Sequence, residues 1–405
     1  MTDFTLHCPA CLSDHSPGPE RYVCPRCGGN LEVRYDYEAL KNALSRERLA
    51  ADRDPTVWRY RAILPVQTPY KGLPLGGTPL VEAPNLAADL GVARALVKDD
   101  TRLPSGSFKD RASSVGLLRA LDLGHTLVTG ASTGNAASST ATLSVPLGLQ
   151  ARIFIPQAAP PAKVAQLLAF GAQVIAVEGT YDDAFDLSLA ATAHYGWYNR
   201  NTGYNPYTRE GKKTVSFEIA EQLGWLVPDL VAVPVGDGNI LTGVAKGFEE
   251  LVRLGLIERA PRLLAVQAAG SDAIVRALEG DGVIRPVSGD TVADSISVSL
   301  PRDGDLTVRA VRASGGWGIR VSDEEILAAI PYLARRVGVF AEPAGVTATA
   351  GLLAAARQGL LDPSWTVAAL ATGTGLKDIA SVRRAPVGDV ITVAPSLDAL
   401  QRALA

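Results

Sequence analysis

Lys109 is the first residue of this 405-residue chain that invites a chemical reading. It closes the stretch Leu103-Pro-Ser105-Gly-Ser-Phe-Lys109-Asp-Arg111, where a turn of small residues runs into a segment of helical pattern. The start of a helix carries partial positive charge, which favours the neutral amine of a nearby lysine. A lysine of lowered pKa can form a Schiff base with an aldehyde and then act as a base. On its own the stretch is weak evidence, since a lysine at a helix start is most often a surface residue. Three further turns share its setting, each just after an apolar strand pattern. Ala131-Ser132-Thr133-Gly134-Asn135 reads as a small anion nest that suits a carboxylate; helix capping by Ser132 or Thr133 is the plainer reading. Gly236-Asp237-Gly238-Asn239-Ile240 has glycines that let backbone N–H groups approach a phosphate. It carries neither Gly-x-Gly-x-x-Gly nor Gly-Lys-Ser/Thr, so a phosphomonoester fits it better than a nucleotide. In Ala371-Thr372-Gly-Thr-Gly, the Thr372 hydroxyl could pair with a heterocycle nitrogen. Four such turns at the carboxyl ends of strands are what an α/β cleft uses to hold ligands.

A second kind of chemistry lies at the N-terminus. All four cysteines of the chain, Cys8, Cys11, Cys24 and Cys27, fall within its first 27 residues. Two Cys-x2-Cys knuckles twelve residues apart can complete a tetrahedral four-thiolate site for zinc. With every position taken by cysteine no place remains for water, so the site is expected to be structural.

The elements that must position these residues follow from the hydrophobic pattern. Short apolar runs at Ala95–Lys98, Thr126–Thr129, Ala151–Ile155, Gln173–Val177, Leu230–Val235, Leu263–Gln267, Thr366–Leu370 and Val390–Val393 read as strands. Helical patterns cover Lys109–Leu123, Ala136–Leu143, Ala162–Phe170, Asp182–His194 and the region Thr242–Leu254. This alternation predicts βαβ units, mainly parallel sheets and two α/β lobes around a cleft. The expected organisation is a zinc-ribbon-like head over 1–35, a helix and Pro/Gly-rich linker over 36–77, and a catalytic region over 78–405. Gly315-Gly316-Trp317-Gly318 reads as a loop at the lobe junction.

These motifs together resemble one family. Ser105-Gly-Ser-Phe-Lys109-Asp-Arg111 is similar to the lysine motif of the fold type II, tryptophan-synthase-β-like pyridoxal-phosphate enzymes in their threonine synthase branch. Gly76-Gly-Thr-Pro-Leu80, Ser132-Thr-Gly-Asn135, Asn205-Pro-Tyr-Thr-Arg-Glu-Gly211-Lys-Lys-Thr214, Phe217-Glu-Ile, Glu342-Pro-Ala344 and Thr372-Gly-Thr-Gly-Leu-Lys-Asp378 extend the resemblance over about residues 70 to 385. The cysteine unit resembles the zinc-ribbon head of some members. The resemblance implies pyridoxal 5'-phosphate as cofactor, held as an imine on Lys109. Asn135 would then bond its phenolic oxygen, Gly236, Asp237, Gly238, Asn239 and Ile240 its phosphate, and Thr372 would face its ring nitrogen. Ser132 and Thr133 would seat the substrate carboxylate, with Ser105, Asn135, Asn205, Thr208 and Arg209 completing the substrate set. The implied reaction turns O-phosphohomoserine and water into threonine and phosphate, and the implied assembly is a homodimer. The sequence departs from the pattern in three places. Thr208 stands where the family has an arginine gripping the substrate phosphate, with Arg209 one residue later. Gly373-Thr374-Gly375 replaces Gly-His-Gly, and the phosphate loop is one residue shorter.

Composition narrows the alternatives. A formal net charge of −3 suggests neither nucleic acid nor an anionic membrane as partner. No apolar run reaches the ~18 residues of a membrane span. No secretory signal pattern opens the chain, and a cytoplasmic location is expected. Two other readings stay open. One is a sister enzyme on the same cofactor: a threonine or serine deaminase, a diaminopropionate lyase or a cysteate synthase. The other is a zinc-ribbon binding protein without catalysis.

Overall fold

The computed structural model describes residues 4–18, 21–159, 161–388 and 390–404. Three sheets organise them. Phe4–His7 (β1), Asp14–His15 (β2) and Glu32–Tyr35 (β3) form a small antiparallel sheet in the order β2-β1-β3. The larger lobe is built on Leu80–Glu82 (β4), Arg94–Asp99 (β5), Leu230–Pro234 (β10), Arg262–Ala268 (β11), Trp317–Val321 (β12) and Thr366–Ala371 (β13). The smaller lobe uses Leu127–Ala131 (β6), Gln150–Pro156 (β7), Gln173–Val177 (β8) and Tyr198–Asn199 (β9). The six-stranded order is β12-β11-β10-β13-β5-β4, parallel except for the edge strand β4. The four-stranded order is β8-β7-β6-β9, parallel throughout.

The expected α/β class with mainly parallel sheets is therefore present, and the reason lies in the strands. Leu230–Pro234 is buried at every position, because helices cover both faces of a parallel sheet. Against one face lies the helix Pro343–Arg357, dense in alanine and glycine, so that backbone can approach strand closely. Gly351 shows how closely: a Cβ there would sit 2.4 Å from the Val266 side chain. Against the other face, the helix Asn239–Arg253 buries Leu241, Val244, Phe248 and Leu251, spaced at helical period. Truncating Phe248 to alanine would cost about 3–5 kcal/mol.

Two local expectations fail. Trp317–Val321 is not a loop but a strand, paired in parallel with β11 from Leu264↔Trp317 onward. Val390–Val393 is not a strand: these residues lie outside all three sheets, with Val390 92% exposed. No helix among the described residues is long and apolar enough to cross a membrane.

Candidate active site

Lys109 opens the helix Lys109–Asp122, whose body is buried from Asp110 to Ala120. The turn before it is fixed by Asp110, whose carboxylate accepts the Ser105 N–H and the Ser105 hydroxyl, both at 2.6 Å. Ser107 bridges to Gly373, and the Phe108 N–H donates to the Thr372 carbonyl at 2.9 Å. The lysine turn of one segment and the hydroxyl turn after β13 are thus stitched together by backbone. Behind them, Arg111 is wholly buried between Asp100 at 2.6 Å and Glu218 at 2.6 Å, and Lys98 donates to Glu218 at 2.6 Å. Burial pushes the Glu218 carboxyl up, but Arg111 and Lys98 outweigh it and hold it at about 2.

Lys109 is half-buried on the wall of a cavity of about 560 Å³ between the two lobes. Burial is the largest influence on its amine, and its pKa falls to about 8; Asp237 and Glu342 pull against this while Arg200 adds to it. The lowered pKa expected from the sequence is present, with desolvation as its main cause. Ser132, Thr133 and Asn135 line the same cavity where β6 gives way to the helix Asn135–Ser144. The Ser132 hydroxyl accepts the Gly134 N–H at 3.1 Å, and Asn135 Nδ2 donates to Glu342 at 2.6 Å.

The glycine turn after β10 faces the cavity through Asp237. Its glycines are required: a Cβ on Gly236 would lie 2.8 Å from the Ile296 backbone. At Gly238, with φ of +89°, one would lie 2.0 Å from the Thr307 hydroxyl. Asn239 is buried between Lys212 Nζ and the Asp303 carboxylate, and Ile240 packs on the core. Lys212, which the sequence did not single out, is thus a buried lysine directly behind this turn, and burial holds its pKa well below the usual lysine range.

The remaining sequence candidates sit elsewhere. Ser105 is occupied by Asp110. Asn205 is buried in its own turn, donating to the Asn199 carbonyl at 2.7 Å and accepting the Tyr207 N–H. Thr208 is buried, its hydroxyl on the Asn205 carbonyl at 2.9 Å. Arg209 pairs with Asp303 at 2.9 Å and with Glu32 of the small sheet at 3.4 Å. None of these four is among the residues lining the cavity. Cavity-lining residues missed by sequence reading include Arg200, Tyr181 and Arg302.

At the N-terminal head, the four cysteine sulfurs all lie within 4.8 Å of one another, with Cys8–Cys27 at 3.5 Å and Cys11–Cys24 at 3.6 Å. Zinc–sulfur bonds of about 2.3 Å place tetrahedral sulfurs roughly 3.8 Å apart, so the cluster has dimensions compatible with zinc. The His15 ring stands 3.4 Å from Cys24 and 2.9 Å from Ser13.

A lysine in a two-lobed cleft, faced by glycine and hydroxyl turns from several parallel strands, is the arrangement of the fold type II enzymes. The chain belongs to the pyridoxal-phosphate dependent enzyme family, whose model matches residues 72–373. Among its relatives, the threonine synthase of Methanocaldococcus jannaschii is 38% identical over 88% of this chain and 89% of its own length. That of Methanosarcina acetivorans is 37% identical over 93% and 92%. Among solved structures, a threonine deaminase from T.th. superposes with a TM-score of 0.63 at 27% identity, covering 82% of this chain and 98% of that one.

Proposed function

We propose that this protein is a threonine synthase that uses pyridoxal 5'-phosphate to convert O-phosphohomoserine and water into threonine and phosphate. The observation that carries this reading is 38% identity to a threonine synthase along nearly the full length of both chains. The residues present fit the cofactor. A lysine of low pKa stands at the cavity, and two glycines bar side chains from the backbone turn that would cradle a phosphate. Lys109 would hold the cofactor, Asn135 its phenolic oxygen, and Gly236 to Ile240 its phosphate, with Lys212 behind the turn fixing Asn239. When bound, the cofactor supplies an electron sink conjugated to the substrate's α carbon.

The chain's own groups then divide the work. Ser132 and Thr133, at the start of the helix Asn135–Ser144, seat the substrate carboxylate. The Lys109 amine would take the α proton and then one β proton, so that phosphate can leave the γ carbon. A proton is then delivered to the γ carbon, water adds at the β carbon and gives up a proton, and the α carbon is reprotonated. Its pKa of about 8 places it close to working pH, where proton transfer in both directions is efficient. The Thr372 hydroxyl, if set against the ring nitrogen, would not enforce a protonated ring as a carboxylate would. That weaker electron withdrawal favours elimination and replacement over transamination. The four cysteines would hold a structural zinc ion, a reading supported by their mutual distances.

The test is product analysis of the purified holoenzyme offered O-phosphohomoserine, threonine, serine and diaminopropionate in turn. Release of inorganic phosphate with matching threonine is expected from the first. Ammonia from threonine or serine, with no phosphate from O-phosphohomoserine, would assign the protein to a sister lyase instead.

A further inference from the structure

Arg200 follows directly on β9 and lines the cavity. It is 3% exposed, yet no carboxylate among the described residues pairs with it. Its guanidinium donates from Nη2 to the Ser113 hydroxyl at 3.0 Å, and its Nε has no hydrogen-bond partner. The chain treats its other buried arginines differently: Arg111 has Asp100 and Glu218, and Arg209 has Asp303. A buried cation left without a counter-charge is costly, and such sites are found where a ligand supplies the missing anion. Burial lowers the Arg200 pKa to about 10, so it stays charged at neutral pH.

The acids nearby do not fill the gap. Asp110, whose charge reaches Arg200, spends both oxygens on Ser105. Asp237, on the cavity wall, accepts the Arg302 N–H. Asp182 and Asp294 also line the cavity, without an ion pair to Arg200. The position is fixed by the fold: the Arg200 N–H donates to the Thr129 carbonyl at 2.9 Å. Its stem passes beside Gly130, where a Cβ would lie 3.5 Å from the arginine Cδ.

The distance to the carboxylate nest defines the ligand. β9 pairs with β6, and β6 ends at Ala131, directly before Ser132–Asn135. Neighbouring strands lie about 4.8 Å apart. An amino acid whose carboxylate occupies the nest can therefore bring a second anionic group, a few bonds away, to Arg200. We infer that Arg200 is the receptor for the distal oxyanion of the substrate, a phosphate ester at the far end of an amino acid. The inference rests on the reaction proposed above and gives that reaction a phosphate-binding residue, since Thr208 and Arg209 do not line the cavity.

The experiment compares wild-type holoenzyme with Arg200→Gln and Arg200→Lys. O-phosphohomoserine, threonine and inorganic phosphate are titrated separately, and binding is followed by the cofactor's absorbance as well as by turnover. Arg200→Gln should weaken O-phosphohomoserine and inorganic phosphate roughly 10- to 100-fold, the loss of a charge-assisted contact. Threonine binding and cofactor retention should change less than about threefold, a shift too small for loss of such a contact. Arg200→Lys, which keeps the charge and loses the fork, should fall between the two. Equal weakening of threonine would instead assign Arg200 to the carboxylate. Loss of cofactor would assign it to the cofactor phosphate, and unchanged phosphate binding would overturn the inference outright. If wild-type enzyme binds phosphate through Arg200 but does not turn over O-phosphohomoserine, the receptor stands and the reaction proposed above is the part that fails.

Discussion

At Lys109 the decisive quantity is the fraction of free amine. A pKa of about 8 in place of 10.5 raises that fraction at pH 7 by roughly 300-fold. Only the free amine attacks an aldehyde. Cofactor capture by the apoprotein should therefore quicken nearly tenfold from pH 6 to 7, about fivefold from pH 7 to 8, and then level off. Stopped-flow absorbance on mixing apoprotein with pyridoxal 5'-phosphate measures this, and a flat profile between pH 6 and 9 would contradict a buried, low-pKa lysine. The motif around Lys109 was legible because several turns of distinct chemistry accompany it. Arg200 was not, for a single arginine after a two-residue strand leaves no pattern. Its significance is the absence of a carboxylate, which is a fact of three dimensions. Arg209 shows the converse: adjacent to a motif in sequence, it is turned by helix geometry onto Asp303 and the small sheet.

At the scale of elements, the helix Lys109–Asp122 is pinned to β5 and to the helix Thr214–Gln222 by a buried ion cluster. Removing the Glu218 charge leaves Arg111 and Lys98 short of compensation, which typically costs about 3–5 kcal/mol. Glu218→Gln should lower the denaturant midpoint at pH 7 accordingly. The sign of its pH dependence is fixed, because the folded pKa, about 2, lies below the ordinary 4.5. The stabilisation is complete above pH 4.5, declines as pH falls below it, and is gone below about 2. The gap between wild type and Glu218→Gln should shrink between pH 5 and pH 3, and a constant gap would mean that Glu218 is not the titrating group. The two misread elements have physical reasons as well. Gly315, Gly316 and Gly318 look like loop punctuation. Yet a Cβ on Gly316 would lie 2.0 Å from the Leu263 carbonyl, and one on Gly318 2.9 Å from Leu278. Close approach of strand and helix required those glycines, and strand pairing was invisible without the partner. Val390–Val393 has the composition of a strand, but no sheet edge receives it.

Across the whole molecule, the cysteine head is joined to the glycine turn after β10 by an unbroken chain of contacts. Asn30, three residues beyond Cys27, donates to Asp303 at 2.7 Å, and Glu32 faces Arg209. Asp303 also binds Arg209 and Asn239, the first residue of the helix that follows the glycine turn. Tyr35 of β3 donates to the buried Glu210 at 2.7 Å, fastening the small sheet to the same helix that carries Arg209. Disturbing the head should therefore loosen Asp303 and, through it, the turn that would hold the cofactor phosphate. Asn30→Ala, or stripping the cysteine site with a chelator, is expected to weaken cofactor retention about tenfold, the loss of one hydrogen bond to a charged group. Turnover at saturating cofactor should be little changed, since neither Lys109 nor Arg200 touches this chain of contacts. Equilibrium dialysis of pyridoxal 5'-phosphate against each preparation measures the effect. The variant and the chelated protein should agree in direction. Tight retention in both would show that the head is fastened to the catalytic lobes without influencing them.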